Sequence, residues 1–264
     1  MRVLITNDDG IQATGLSVLE SIANKIFEEV WVVAPDTECS GFAHSITGLR
    51  PIRFRQLSER RFSISGTPAD CVIMAVNEIM AHKKPDLVLS GVNRGDNIGE
   101  CVTYSGTVGA AMEAALSGIP AIALSQAYKR HHPVPWKIAE ELGVQLMKKF
   151  AAMGWPKKLF LNVNFPMQTP VKGIAVTKQG KNIAHCAVTS NIDPRGMPYY
   201  WLDTLRHNPE KDPENTDISS LQEGYITITP LRFDLTDYGA ITKLKVALNE
   251  ENEAEDASSD SKNR

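Results

Sequence analysis

What this 264-residue chain lacks narrows its function before any motif is read. It has no basic excess: 28 Lys and Arg stand against 31 Asp and Glu, a formal net charge of −3. Proteins that coat nucleic acid or lie on membrane surfaces normally carry such an excess. It has no uninterrupted apolar run long enough to span a bilayer. Its opening residues, MRVLITNDDG, turn polar too soon for a signal peptide, so a cytoplasmic protein is expected. The four cysteines (Cys39, Cys71, Cys101 and Cys186) are widely spaced and form no C-x-x-C pair. Buried free thiols are the expectation, rather than a zinc site or a disulfide framework. No internal repeat is present.

What is there suits one globular domain with a real core: 42% of residues are apolar and 22% charged. The charge is unevenly placed. Asn249 to Arg264 holds six acids and two bases, which leaves a net +1 on residues 1–248. That body is expected to be a single domain, and the acidic tail to be disordered. With a nearly neutral body, any affinity for anions must come from a local site.

Val3-Leu4-Ile5 reads as a buried strand, and Leu16, Leu19, Ile22, Ala23, Ile26 and Phe27 fall on one face of a helix. Val30 to Val33 is a second strand. The alternation continues: a helix opened by Thr67-Pro68-Ala69-Asp70 and running to about Met80, then a strand at Asp86 to Ser90. A small-residue helix from Ser105 to about Ser117, a strand at Ala121 to Ser125, a helix from Pro135 to Phe150 and a strand at Leu159 to Val163 complete it. Parallel strands need such crossovers, so the expectation is an α/β fold: a doubly wound, mainly parallel, Rossmann-like sheet with a core of about residues 1–166. Beyond Pro166 the helical spacing stops. Ile174 to Thr177, Ile183 to Val188 and Tyr199 to Leu202 read as strands, taken together as an antiparallel hairpin extension over about residues 171–205. His207 to Asn215 reads as a loop, and Tyr225 to Thr229, within about 224–231, as a strand returning to the body.

Chemistry gathers after the strands. Asp8 and Asp9 follow the first, and neighbouring residues converge only where the chain leaves strand geometry, which Gly10 permits. Two carboxylates forced together raise one another's proton affinity unless a cation intervenes, so a hard divalent ion is the economical reading. The bland alternative is a pair of loop acids capping the next helix. Ser90 to Gly99 holds three glycines in ten residues and leads into Tyr104-Ser105-Gly106-Thr107-Val108-Gly109, a helix start whose free N–H groups and hydroxyls suit an anion. Here Ser105 or Thr107 could equally be a simple N-cap. Cys39 to Ser45 pairs Ser40 with His44. No G-x-S-x-G surrounds Ser40, so a hydroxyl ligand and a His near the leaving group fit better than a serine nucleophile.

Taken in order, Asn7-Asp8-Asp9-Gly10, Ser40-Gly41 with His44-Ser45, Gly66-Thr67-Pro68-Ala69-Asp70-Cys71, Ser90 to Gly95 and Tyr104 to Ala111 closely resemble the SurE family of stationary-phase survival proteins. Thr216-Asp217, Gly224-Tyr225 and Thr229-Pro230-Leu231 extend the resemblance, which runs from Met1 to about Ala247. Glu100-Cys101, where an Asp is more usual, and Ala114, where Gly is common, depart from it. The resemblance implies a 5′/3′-nucleotidase acting on nucleoside monophosphates, with some activity on short polyphosphate. By carry-over it implies Asp8, Asp9, Ser40 and Asn93 as ligands of one Mg²⁺ or Mn²⁺ per subunit. It also implies a homodimer or tetramer joined through the hairpin region. An all-oxygen set favours those metals over zinc. Ser105, Gly106, Thr107 and Asn97 would then hold the remaining phosphoryl oxygens. Two other classes compete. A non-catalytic nucleotide sensor would leave the acid pair without a purpose, and an aspartyl-phosphate phosphatase wants Asp-x-Asp where this chain has Asp8-Asp9-Gly10.

Overall fold

The structure, a computed structural model, describes residues 1–155, 159–181, 187–203 and 214–248. Strand β1 (Arg2–Thr6), helix α1 (Thr14–Asn24) and strand β2 (Glu29–Pro35) form the first crossover. The hairpin β3 (Phe54–Ser58) and β4 (Arg61–Ile64) follows, then α2 (Pro68–Met74), β5 (Leu87–Arg94), α3 (Gly106–Leu116), β6 (Ala121–Gln126), α4 (Trp136–Met153) and β7 (Phe160–Phe165). The remaining elements are β8 (Gly173–Val176), β9 (Ala187–Ile192), β10 (Pro198–Asp203), α5 (Asp217–Gln222) and β11 (Tyr225–Leu231). Residues 233–248 belong to a separate unit, of which 238–248 are helical.

Nine strands make one sheet in the order β3-β4-β2-β1-β5-β6-β7-β11-β8. The six from β4 to β7 are parallel, β3 runs against β4, β11 runs against β7, and β8 pairs parallel with β11. The doubly wound expectation holds. Alternation along β1 divides the core in two, since successive side chains of a strand face opposite sides. Val3 and Ile5 pack with Leu16, Leu19 and Ile22 of α1 and Ala139 and Leu146 of α4. Leu4 packs on the other face with Val72 and Val108 of α2 and α3. Thr67 caps α2 as its spacing predicts, in a reciprocal pair with Asp70 and with Pro68 at the first position.

One expectation needs correction. The hairpin extension is narrower than residues 171–205, because β8 belongs to the main sheet and only β9 and β10 pair as a hairpin. Residues of β8 alternate in burial as an edge strand would, and nothing local shows which neighbour it takes. The strand expected at Ile183 to Val188 lies mostly outside the described residues; the described strand starts at Ala187. The β3–β4 hairpin and the short helix α5 carry no periodic signal and are additions. The acidic tail and most of the loop from His207 to Asn215 lie outside the described residues.

The chain departs from β1 toward β2 on one side, while β5 flanks β1 on the other. The carboxyl ends of β1 and β5 therefore border the crevice at the switch point of the sheet, where open α/β folds bind ligands.

Candidate active site

Asp8 and Asp9 stand at that point. Asn7 Nδ2 donates to the Gly10 carbonyl at 2.9 Å, closing a turn that Gly10 completes at φ +99°. The turn sends the two acids to different partners. Asp8 is buried and accepts a short hydrogen bond from the Thr107 hydroxyl. A Cβ on Gly106 would meet the Asp8 Cβ at 2.8 Å, so the first turn of α3 lies directly against this acid. Asp9 is more open and accepts from the Arg94 backbone N–H at 3.0 Å. Burial pushes the Asp8 carboxyl up to about 6; the Thr107 hydroxyl opposes the rise and the Asp9 charge adds to it. Asp9 is raised as well, by burial first, with the Arg94 N–H opposing. Neighbouring buried acids with raised proton affinity suit a centre whose ionised form is completed by a cation.

The other two implied ligands are close in bonding terms. The Cys39 N–H donates to the Asp8 carbonyl at 2.8 Å, which fixes Ser40 one residue from that bond. The Ser40 hydroxyl donates to Glu38 Oε1 at 2.9 Å, and its oxygen keeps lone pairs for a further contact. Asn93 immediately precedes Arg94 at the end of β5, and its Nδ2 donates to the Gly95 carbonyl at 2.9 Å. The amide nitrogen is thereby committed and Oδ1 is the end left to accept. Among the described residues no three His, Cys, Asp or Glu side chains cluster as metal ligands. A cation here would take hydroxyl and amide oxygens beside the two carboxylates, and hard ions accept that mixture.

The residues expected to hold phosphate divide. Ser105 is the N-cap of α3, its oxygen accepting from the Val108 N–H at 3.1 Å. The Thr107 hydroxyl and backbone N–H both go to Asp8 and the Val108 N–H goes to Ser105, so among the described residues the Gly106 N–H is the first-turn donor without a side-chain partner. Asn97 is buried and tied into the sheet. Its N–H donates to Asn164 Oδ1 at 2.8 Å and its Nδ2 to the Ser125 hydroxyl at 2.9 Å. Its carbonyl accepts from Asn162 Nδ2 at 2.7 Å and Asn164 Nδ2 at 3.1 Å. Its side chain ties the glycine-rich loop to β6 and its backbone ties the loop to β7.

His44 is bonded to α3. Its Nε2 lies 2.8 Å from Glu113 Oε2, and Glu113 follows Gly106 by seven residues, roughly 10 Å along the axis of α3. A Cβ on Gly109 would lie 3.0 Å from the His44 Cα, so the residue packs along α3. It anchors the Ser40 loop to α3, together with the Ala43 N–H on the Tyr104 carbonyl at 3.0 Å.

Asp217 is a further residue that shapes the site. It is fully buried at the first turn of α5, where Oδ2 accepts from the Gly99 N–H at 3.0 Å and Oδ1 from the Gly180 N–H at 2.8 Å. It clamps the same loop that Asn97 holds, one turn before Ser105. The readable signals were Thr216-Asp217-x-Ser219, which is a capping pattern, and Asn162 and Asn164 alternating inside an otherwise apolar strand.

The model of the family described as Survival protein SurE matches residues 3–185. A Paramagnetospirillum magneticum protein carrying the name 5′-nucleotidase SurE is 47% identical over 249 residues, covering 94% of this chain and 95% of its own. One of the same name from Parvibaculum lavamentivorans is 48% identical over 255 residues, covering 94% and 91%. The crystal structure of the SurE protein from Aquifex aeolicus superposes with a TM-score of 0.81 at 38% identity, covering 94% of this chain and 99% of that one. By the family model over residues 3–185 and by relatives 47–48% identical over 94% of its length, the chain belongs to the SurE family.

Proposed function

We propose that the protein is a nucleotidase that hydrolyses nucleoside 5′- and 3′-monophosphates, and short polyphosphate as a side activity, with one Mg²⁺ or Mn²⁺ per subunit. The observation that carries this reading is the adjacent pair Asp8 and Asp9, one held by α3 and the other by the end of β5. Binding alone needs no such pair, and the family relatives bear the nucleotidase name.

Asp8, Asp9, the Ser40 hydroxyl and the Asn93 Oδ1 would hold the ion. Two carboxylates balance its charge without exceeding it, so a phosphate dianion can still approach. When bound, the ion supplies Lewis-acid polarisation of the phosphoryl group. The Thr107 hydroxyl and N–H keep the Asp8 carboxylate oriented, and the Gly106 N–H, at the positive end of α3, would meet the charge developing on the phosphoryl oxygens. Asn97 and Asp217 keep the intervening loop from shifting. The exposed aromatic strands β9 and β10 fit a homodimer or tetramer, and the enzyme would work in the cytoplasm.

Phosphate release from 5′- and 3′-nucleoside monophosphates, with and without EDTA, tests the reading. Turnover that the chelator abolishes and Mn²⁺ or Mg²⁺ restores is expected. Nucleotide binding without turnover would make the protein a sensor, and full activity after chelation would remove the metal.

A further inference from the structure

A cleft of about 400 Å³ opens beside Asp9, and Gln12, Thr14, Arg94, Val134 and Trp136 help to line it. Building on the nucleotidase reading, we infer that this cleft receives the nucleoside of the substrate and that Trp136 stacks on its base. The volume falls in the range of small-molecule sites. Asp9 at one end is a proposed ligand of the ion, so a phosphoryl group bound there has its ester substituent next to the opening.

The aromatic wall is close to the chemistry. A Cβ on Gly15 would lie 1.9 Å from the Val92 carbonyl oxygen and 3.0 Å from Trp136 Cη2. Those two atoms are therefore within about 5 Å of each other, and Val92 immediately precedes Asn93. Trp136 is also held in place. It is the first residue of α4, whose Ile138 and Ala139 are buried and whose Ala139 N–H donates to Gln126 Oε1 at 3.1 Å. Its indole N–H makes no hydrogen bond among the described residues.

The wall chemistry matches a nucleoside. Val134 and the indole offer an apolar face, while Gln12 and Thr14 offer hydrogen-bonding groups near the acids. Arg94 also lines the cleft, but it is paired with Glu38 at 3.6 Å, and Asp9 adds a further negative charge. A cleft whose one cation is matched by Glu38 and outweighed once Asp9 is added suits a neutral nucleoside rather than a second phosphate.

The test compares AMP with glycerol phosphate, which has no base, in wild type and Trp136→Ala. Base–aromatic stacking predicts a KM for AMP raised on the order of tenfold, with kcat held. Both constants for glycerol phosphate should stay within about twofold. Trp136→Leu, which keeps most of the volume, should behave like the alanine variant if that one folds poorly, and Trp136→Phe should recover most of the affinity. An unchanged KM for AMP in a folded variant, or an equal rise for both substrates, would overturn the inference. Equilibrium dialysis of adenosine needs no turnover: wild type should bind it and Trp136→Leu should bind about tenfold less. Wild type inactive on every phosphomonoester but binding adenosine through Trp136 would defeat the enzymatic reading and leave the cleft assignment standing.

Discussion

At the ends of β1 and β5 the acids and the loop that follows β5 have partners within the chain, although Asn7 Oδ1 and Ser90 Oγ are buried without a hydrogen bond. Asp8 is bonded to Thr107, Asp9 to Arg94, Asn97 to three strand residues and Gly99 to Asp217. In the β9–β10 hairpin the strands pair only with each other among the described residues, and Trp201 and Leu202 are 68% and 69% exposed. The first region is completed within one chain by directed polar contacts. The second has a large apolar surface that nothing among the described residues buries, and an isolated two-stranded hairpin is marginal in water. Catalysis and assembly should therefore fail separately.

The largest effect is expected at the acids. Asp8→Asn and Asp9→Asn should each lower kcat on the order of 10²–10⁴-fold while the circular dichroism spectrum stays that of wild type. Near-normal rates under saturating metal would show that the site half of the comparison is wrong.

A stability measurement sharpens the same point. With metal removed, the folded state holds a proton on Asp8 between about pH 4 and pH 6 that the unfolded chain has released. Stability should fall as pH rises through that window, by on the order of 3 kcal/mol, and stay lower above it. The melting curve of the metal-free protein relative to Asp8→Asn reports this. Wild type should lose ground as pH rises from 4 to 7, and added Mn²⁺ should return it. A flat difference across that range would mean that the acid is not stressed.

Asp217→Asn should act through the loop. An amide can accept only one of the two N–H groups that the carboxylate now takes. A fall of about tenfold in kcat/KM is expected, with Mn²⁺ affinity unchanged, because Asp217 holds Gly99 and not the ligands. Loss of metal binding instead would place the clamp within the metal centre.

The smallest effect on catalysis should come from the hairpin. Replacing Tyr200 and Trp201 with Ser should shift the protein toward monomer in sedimentation, with the rate per chain kept within about twofold. A collapse of activity would mean that the hairpin completes the site. Wild type sedimenting as a monomer at micromolar concentration would remove the assembly role.

The same contrast governs how much could be read from the residues alone. Asp8, Asp9 and Ser105 were legible because strand ends, turns and caps are local: Gly10 and the α3 start carry their geometry within a few residues. Asp217 was not, because its carboxylate meets Gly99 from 118 positions away. His44 was placed near the acids by its sequence neighbour Ser40, yet its partner Glu113 is 69 positions away. The same limit hid the pairing of β8, whose alternation shows that it is a strand but not which strand it joins. Periodicity reports what a residue is next to in a helix or strand, and long-range hydrogen bonds are decided by tertiary packing.

The central claim is that Asp8 and Asp9 share one divalent cation. Titration of the chelator-stripped protein with Mn²⁺, read by the electron paramagnetic resonance of the free ion, tests it without turnover. One tight site per chain in wild type, lost in both Asp8→Asn and Asp9→Asn and only weakened in Asn93→Ala, is the result predicted. Unaltered Mn²⁺ binding in either acid variant would contradict it.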